Sequence, residues 1–226
     1  MKRKSTLSIL RETCGGVCVK RLTNRLGAWH KRRYKTGFTL IELLIVIAVI
    51  VVLAGLILST FGYVQKKGAR ARAETEIAAM SAACESYKAD NGIYPRDTTN
   101  GTTDTLNSRQ NLDSTQQVYY DASLYLFTQL SGLNSNQTPI SGAKSYFSFK
   151  PQMLGGTPDL NGNVNPVMFI RDPFGNSYGY STANQADPVT PKGYNPTFDL
   201  WSTAGIAPSP TPTPPATQQN LWIKNW

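Results

Sequence analysis

Glu42 is an acid where hydrophobicity disfavours one. It stands five residues after Gly37, inside an apolar run that begins at Phe38 and carries no charge from Leu43 to Leu58. An ionised carboxylate near the end of a hydrophobic helix is unfavourable in lipid unless it stays wet or meets a cation. Headgroup water satisfies the first condition. Scission between Gly37 and Phe38 would satisfy the second, because a new α-amino group would then lie four residues before Glu42 and two opposite charges would share one helix terminus. Chemistry performed by the chain itself finds little support. Beyond residue 37 there is no histidine, one cysteine (Cys84), and neither a Gly-x-Ser-x-Gly elbow nor a phosphate loop. The remaining Asp residues are scattered, and nothing in their spacing pairs two of them. The chain reads as a non-enzyme.

Charge is partitioned along the chain. The net charge is +9, but residues 1–37 hold eleven Lys/Arg against Glu12, leaving twelve Lys/Arg and thirteen Asp/Glu for the rest. A nucleic-acid surface needs clustered cations on the folded part, so no nucleic-acid partner is expected. The one later cluster, Lys66, Lys67, Arg70 and Arg72, reads as a turn of helix leaving a membrane near lipid phosphates. Cys14, Cys18 and His30 match no zinc spacing. Cys84, the remaining thiol, is expected to behave as a small apolar residue.

The region from Phe38 to about Val64 is long enough to cross roughly 30 Å of hydrocarbon and has no polar face. Lys31, Arg32, Arg33 and Lys35 before it balance the four cations after it. Lys20, Arg21 and Arg25 tip the balance toward a cytoplasmic N-terminus. No proline occurs until Pro95, so the helix should continue. Ala69, Ala73, Ile77, Met80, Cys84 and Tyr87 recur at helical spacing, and Asp90-Asn91-Gly92 supplies a stop. Gly55, Gly62 and Gly68 each weaken helix locally; either bilayer and head packing override this, or a soft region lies near Gly55 and Gly62.

Lys35-Thr36-Gly37-Phe38-Thr39-Leu40-Ile41-Glu42, with the apolar run behind it, resembles the prepilin signal of type IV pilins and type II secretion pseudopilins. The resemblance implies cleavage after Gly37 by an inner-membrane prepilin peptidase and N-methylation of Phe38. It also implies pairing of Glu42 with the terminal amine of a neighbouring copy during filament assembly.

Residues 96–165 are rich in Thr, Ser, Asn, Gln and Gly, with a short apolar island at Leu124–Leu130 that predicts a small helix. Strands are predicted at Ser145–Phe149, Val167–Ile170, Ser177–Tyr180 and Thr197–Trp201, with Asp172-Pro173-Phe174-Gly175-Asn176 as a turn between two of them. Asp172 to Asn176 with Tyr178 and Tyr180, then Phe198-Asp199-Leu200-Trp201-Ser202 and Gly205, is similar to the C-terminal signature of major pseudopilins. Tyr87, Asn91-Gly92 and Tyr94-Pro95 match their helix exit. That group binds a structural calcium through acidic residues after this segment, whereas no Asp or Glu follows Asp199 here. Calcium favours several hard oxygen ligands, so Asp199 is expected to serve a turn or a hydrogen bond, and no cofactor is expected. The Pro-rich stretch Pro208–Pro215 reads as a stiff linker to Leu221–Trp226. Trp222 and Trp226 either return as a last strand or anchor contacts between subunits.

Together these readings predict an α+β, pilin-like fold: a long N-terminal transmembrane-plus-amphipathic helix packed on a small antiparallel sheet. The expected divisions are a basic leader (1–37), a transmembrane or filament-core helix (38–64), an amphipathic helix (65–92), a variable connecting region (93–165), the sheet (166–205) and a Pro-rich linker with C-terminal segment (206–226). The resemblance implies a secretion pseudopilus subunit in the bacterial inner membrane with a periplasmic head. Its implied partners are the peptidase, copies of itself, minor pseudopilins and the assembly platform. Alternatives from the same residues are a type IV pilin of an adhesion, motility or DNA-uptake fibre, or a membrane-tethered periplasmic binding head with a prepilin leader.

Overall fold

Helix α1 runs without a break from Leu40 to Asn91 in the computed structural model, which describes residues 37–110, 113–190, 192–206 and 219–226. The predicted leader before Gly37 and the Pro208–Pro215 linker lie outside the described residues. Two compact units divide the chain, one ending at Ile50 and one beginning at Val51. The stop falls where the sequence placed it: Gly92 takes φ +80° and its N–H closes on the Lys88 carbonyl. A left-handed residue after the last turn is the usual C-terminal device of a helix, and glycine adopts it without a Cβ clash.

Burial changes character along α1. From Leu40 to Val64 the large apolar side chains stay between 52% and 82% exposed. Further on, Ala73, Ile77, Met80, Ala83 and Cys84 are buried at spacings of three and four. This stripe packs in one core with Leu126, Phe127 and Leu130 of α3 (Gln117–Ser131), and with Ile170, Tyr180 and Leu200 of the strands. Each fully buried side chain of this size contributes about 1.5–3 kcal/mol relative to exposure. Burial also pushes the Cys84 thiol pKa up, which keeps it protonated and inert.

The strands form two small antiparallel sheets. β1 (Leu154–Gly155) pairs with β2 (Phe169–Ile170), while β3 (Gly179–Ser181), β4 (Asp199–Ser202) and β5 (Ile223–Lys224) make the second sheet in that order. Strands thus occur outside the span 166–205 on both sides, β1 in one sheet and β5 in the other. Short helices α2 (Thr102–Thr105) and α4 (Ala183–Ala186) flank it. A second core gathers Leu106, Tyr119, Ala122, Trp201 and Trp222, the two indoles stacked 6.1 Å apart. The C-terminal segment thus returns as a strand.

One strand expectation needs correction. Ser145–Phe149 is not a strand. The N–H groups of Tyr146 and Phe147 both donate to the Leu130 carbonyl at the end of α3 (2.7 and 2.9 Å), so they complete a helix terminus instead of joining a ladder. The small helix predicted at Leu124–Leu130 is present within the four-turn α3, and the region 93–165 also holds α2 and β1. Some of the polar residues in 93–165 are interior hydrogen-bond partners: Thr103, Ser108 and Ser123 are fully buried, and Ser123 Oγ accepts from the Ile170 N–H at 2.8 Å.

Gly179 lies directly beneath the Trp201 ring across the β3–β4 pair. A Cβ built there would fall 2.3 Å from the indole, which is fixed between Tyr119 and Trp222. Gly179→Ala should destabilise the head by about 1–3 kcal/mol through overpacking, read as a lower thermal midpoint by circular dichroism, whereas alanine at the exposed Lys150 should leave that midpoint nearly unchanged.

Candidate functional site

The start of α1 is held by a reciprocal pair that the sequence reading missed. Thr39 is the N-cap: its carbonyl accepts the Leu43 N–H (3.2 Å), and its hydroxyl oxygen accepts the Glu42 N–H (3.3 Å). Glu42 reaches back, its Oε2 accepting the Thr39 N–H at 2.9 Å and the Thr39 hydroxyl at 2.8 Å. This is the capping box Thr-x-x-Glu, in which two otherwise orphaned donors are satisfied together. The signal was legible in the four residues Thr39 to Glu42. It was overlooked because the acid was weighed only as a charge in an apolar run.

The capping box holds the carboxylate at the N-terminal edge of α1, where the helix dipole also favours negative charge. Phe38, adjacent to the capped residue, is 86% exposed, and Gly37 has open space around its α-carbon. Both recorded bonds fall on Oε2, and among the described residues Oε1 receives none. The structure therefore brings Gly37, Phe38 and Glu42 together in an exposed segment at a helix start. What it can do chemically is present a scissile peptide and accept a cation.

The second motif is architectural. Asp172 opens a tight turn: its N–H donates to the Asn176 carbonyl (2.8 Å), and its Oδ1 accepts the N–H groups of Phe174 (3.0 Å) and Asn176 (2.8 Å). Its Oδ2 accepts the Ser202 hydroxyl at 2.5 Å, so the two separated halves of the signature meet at one carboxylate. Burial pushes the Asp172 pKa above the usual carboxylate range, opposed by the Ser202 hydroxyl and the turn N–H groups.

Asp199 is likewise buried and saturated. Its Oδ2 accepts the Ser108 hydroxyl (2.6 Å) and the Tyr194 N–H (2.8 Å), and its Oδ1 accepts the Asn195 N–H (2.8 Å). Among the described residues, no three His, Cys, Asp or Glu side chains are grouped closely enough to hold a metal ion.

The family model for the prokaryotic N-terminal methylation motif matches residues 32–58, a stretch containing Gly37, Phe38 and Glu42. The chain is 35% identical over 65 residues to the type II secretion system core protein G of Vibrio cholerae serotype O1, covering 29% of this chain and 44% of that protein. It is 34% identical over 65 residues to the core protein G of Aeromonas hydrophila (29% and 46%), and 37% identical over 59 residues to that of Pectobacterium carotovorum subsp. carotovorum (26% and 38%). The matches span less than half the length of these relatives. No solved structure gives a significant match.

A buried acid with a raised pKa binds its proton more tightly folded than unfolded. Its contribution to stability is then lost as pH rises from the unfolded value, near 3.9, through the folded one. Denaturant unfolding of the head across that window should show a steeper decline for wild type than for Asp172→Asn, whose amide does not titrate; parallel profiles would contradict the assignment. The methylation motif thus sits at the head of α1 with an α+β core gathered on its later turns, and over less than a third of its length the chain is similar to the core protein G of type II secretion systems.

Proposed function

We propose that this chain is a structural subunit of a type II secretion pseudopilus, cleaved after Gly37, N-methylated at Phe38 and assembled through its apolar helix without catalysing a reaction. The observation that carries the reading is the Thr39–Glu42 capping box within the matched methylation motif. It presents a carboxylate beside the residue whose amine cleavage would free. The exposed apolar turns that follow support membrane residence before assembly and helix-to-helix burial afterwards. In this reading a prepilin peptidase acts first, with the N-terminus in the cytoplasm and the head in the periplasm. Copies leaving the inner membrane then stack, minor pseudopilins and the assembly platform being further partners. The Phe38 amine of one copy approaches Glu42 of the next, and a cation there offsets the cost of taking an acid into an apolar filament core.

Glutamine also serves at the third position of a capping box, so charge and cap can be separated. Glu42→Gln should keep the helix start and the cleavage, yet lower sheared or cross-linked polymer by an order of magnitude or more, as should Glu42→Ala. Mass spectrometry of membranes containing the peptidase should find both variants beginning at Phe38. Polymer from Glu42→Gln at the wild-type level would refute charge pairing and leave the cap as the sole role of this residue.

For Asp199 we infer a turn anchor and not a calcium ligand, because both its oxygens are engaged by hydroxyl or amide donors. Chelation should leave the thermal midpoint of the purified protein unchanged. Asp199→Ala should cost about 1–3 kcal/mol, since it strands the buried Ser108 hydroxyl and frees two partly exposed backbone N–H groups. A midpoint that falls on chelation and recovers with calcium would overturn this inference.

A further inference from the structure

We propose that the turn of α1 just beyond the apolar run is a headgroup site selective for anionic phospholipid, formed by Lys66, Lys67 and Arg70. This rests on α1 crossing a bilayer and not on the filament reading.

Tyr63, Lys66, Lys67, Arg70, Ala71 and Glu74 line an open groove of about 470 Å³. Their spacing places them along one face of the helix. Among the described residues, no acid lies within ion-pair distance of Lys66, Lys67 or Arg70. Arg70 is also oriented: one guanidinium N–H donates to the Leu221 carbonyl at 2.6 Å, in the segment leading into β5. A guanidinium has five N–H donors, so this tether holds the group while leaving others for an anion.

Depth argues for a lipid as the occupant. Counted from Val64, Lys66 and Lys67 lie about 3–4.5 Å along the axis and Arg70 about 9 Å. The headgroup layer occupies roughly 5–8 Å beyond the hydrocarbon. Helical side chains lean toward the N-terminus, here the bilayer side, and long cationic stems reach back to the interface. All three charges thus have access to the phosphate layer. Exposed Tyr63 stands at its boundary, where amphipathic rings settle. Glu74, the opposing charge, is about 15 Å beyond Val64 and clear of that layer.

The test uses the full chain in nanodiscs loaded with one copy each, doped with spin-labelled phosphatidylglycerol or phosphatidylcholine. The fraction of motionally restricted label gives relative association. Wild type should favour phosphatidylglycerol by roughly fivefold for each engaged cation at low salt. Lys66→Gln/Lys67→Gln, which keeps the Arg70 tether, should lose part of this preference, and adding Arg70→Gln should abolish it. Lys150→Gln/Arg171→Gln/Lys192→Gln, with the same charge change elsewhere on the surface, should retain it. Equal association of the two lipids with wild type, or a preference surviving in the triple groove variant, would overturn the proposal. So would displacement by inorganic phosphate beyond the effect of chloride at matched ionic strength, which would assign the groove to a free anion. A preference seen only with two copies per disc would assign it to contacts between chains. Absence of any restricted label would overturn the membrane-spanning reading along with it.

Discussion

The governing constraint is that the large apolar side chains along the first half of α1 stand exposed in the single chain. A helix apolar on every side cannot be solvated by water, and here those side chains remain more than half exposed through Val64. Backbone hydrogen bonding is complete inside the helix, so the unmet demand is for apolar surface alone. Lipid or another such helix meets it equally well. Small residues, Ala48, Ala54 and Gly55, are scattered among the branched ones and let neighbouring backbones come close. The same segment can therefore exchange one apolar environment for another without rebuilding its secondary structure.

Downstream, α1 has to become the floor of a water-soluble core, and its composition changes accordingly. Ala73, Ala83 and Cys84 give a slender stripe onto which large residues settle, chiefly Phe127, Tyr178 and Tyr180. Tyrosines dominate because their hydroxyls reach out of the core to fixed acceptors: Tyr178 to Glu76 Oε2 at 2.7 Å and Tyr180 to the Pro95 carbonyl at 2.8 Å. Each ring thus contributes apolar area while its polar tip secures one element to another. With strands only two to four residues long, the sheets are too short to hold the head by ladders alone. Buried carboxylates do the remaining joining, Asp172 tying the turn before β3 to Ser202 and Asp199 tying β4 to Ser108 and the Tyr194–Asn195 backbone.

How much of this was legible follows from where the information sits. Helix α1 and its stop were readable because periodicity and Asn91-Gly92 are local signals. The turn at Asp172–Asn176 was readable for the same reason. Within 93–165 the apolar island of α3 was readable, but the buried Thr and Ser residues were not, because they look like loop residues until their partners are known. Thr103 is an example: its Oγ1 accepts the Asp97 N–H at 3.1 Å and the hydroxyl of Thr182, which lies 79 positions away. Ser145–Phe149 misled in the opposite direction, since an aromatic alternating run has strand character whether or not a neighbour is available. Here the nearest free acceptor was the end of α3. Long-range pairing decided both cases, and composition carries no trace of it.

Glu42 joins the local and the long-range arguments. In a single copy it is occupied through one oxygen, as the return half of the capping box. A carboxylate held this way is already oriented, so a cation arriving at Oε1 meets a group whose rotamer has been chosen in advance. That lowers the entropic cost of forming a pair, because less side-chain freedom remains to be lost when it forms. The cap also explains why aspartate would be a poor substitute despite its equal charge: its shorter arm cannot span the three residues back to Thr39 as glutamate does. The positional requirement for an acid at the fifth residue of the apolar segment then has two physical sources. One is the geometry of a helix start, and the other, in the proposed processing, is the charge that Phe38 would carry as a terminus.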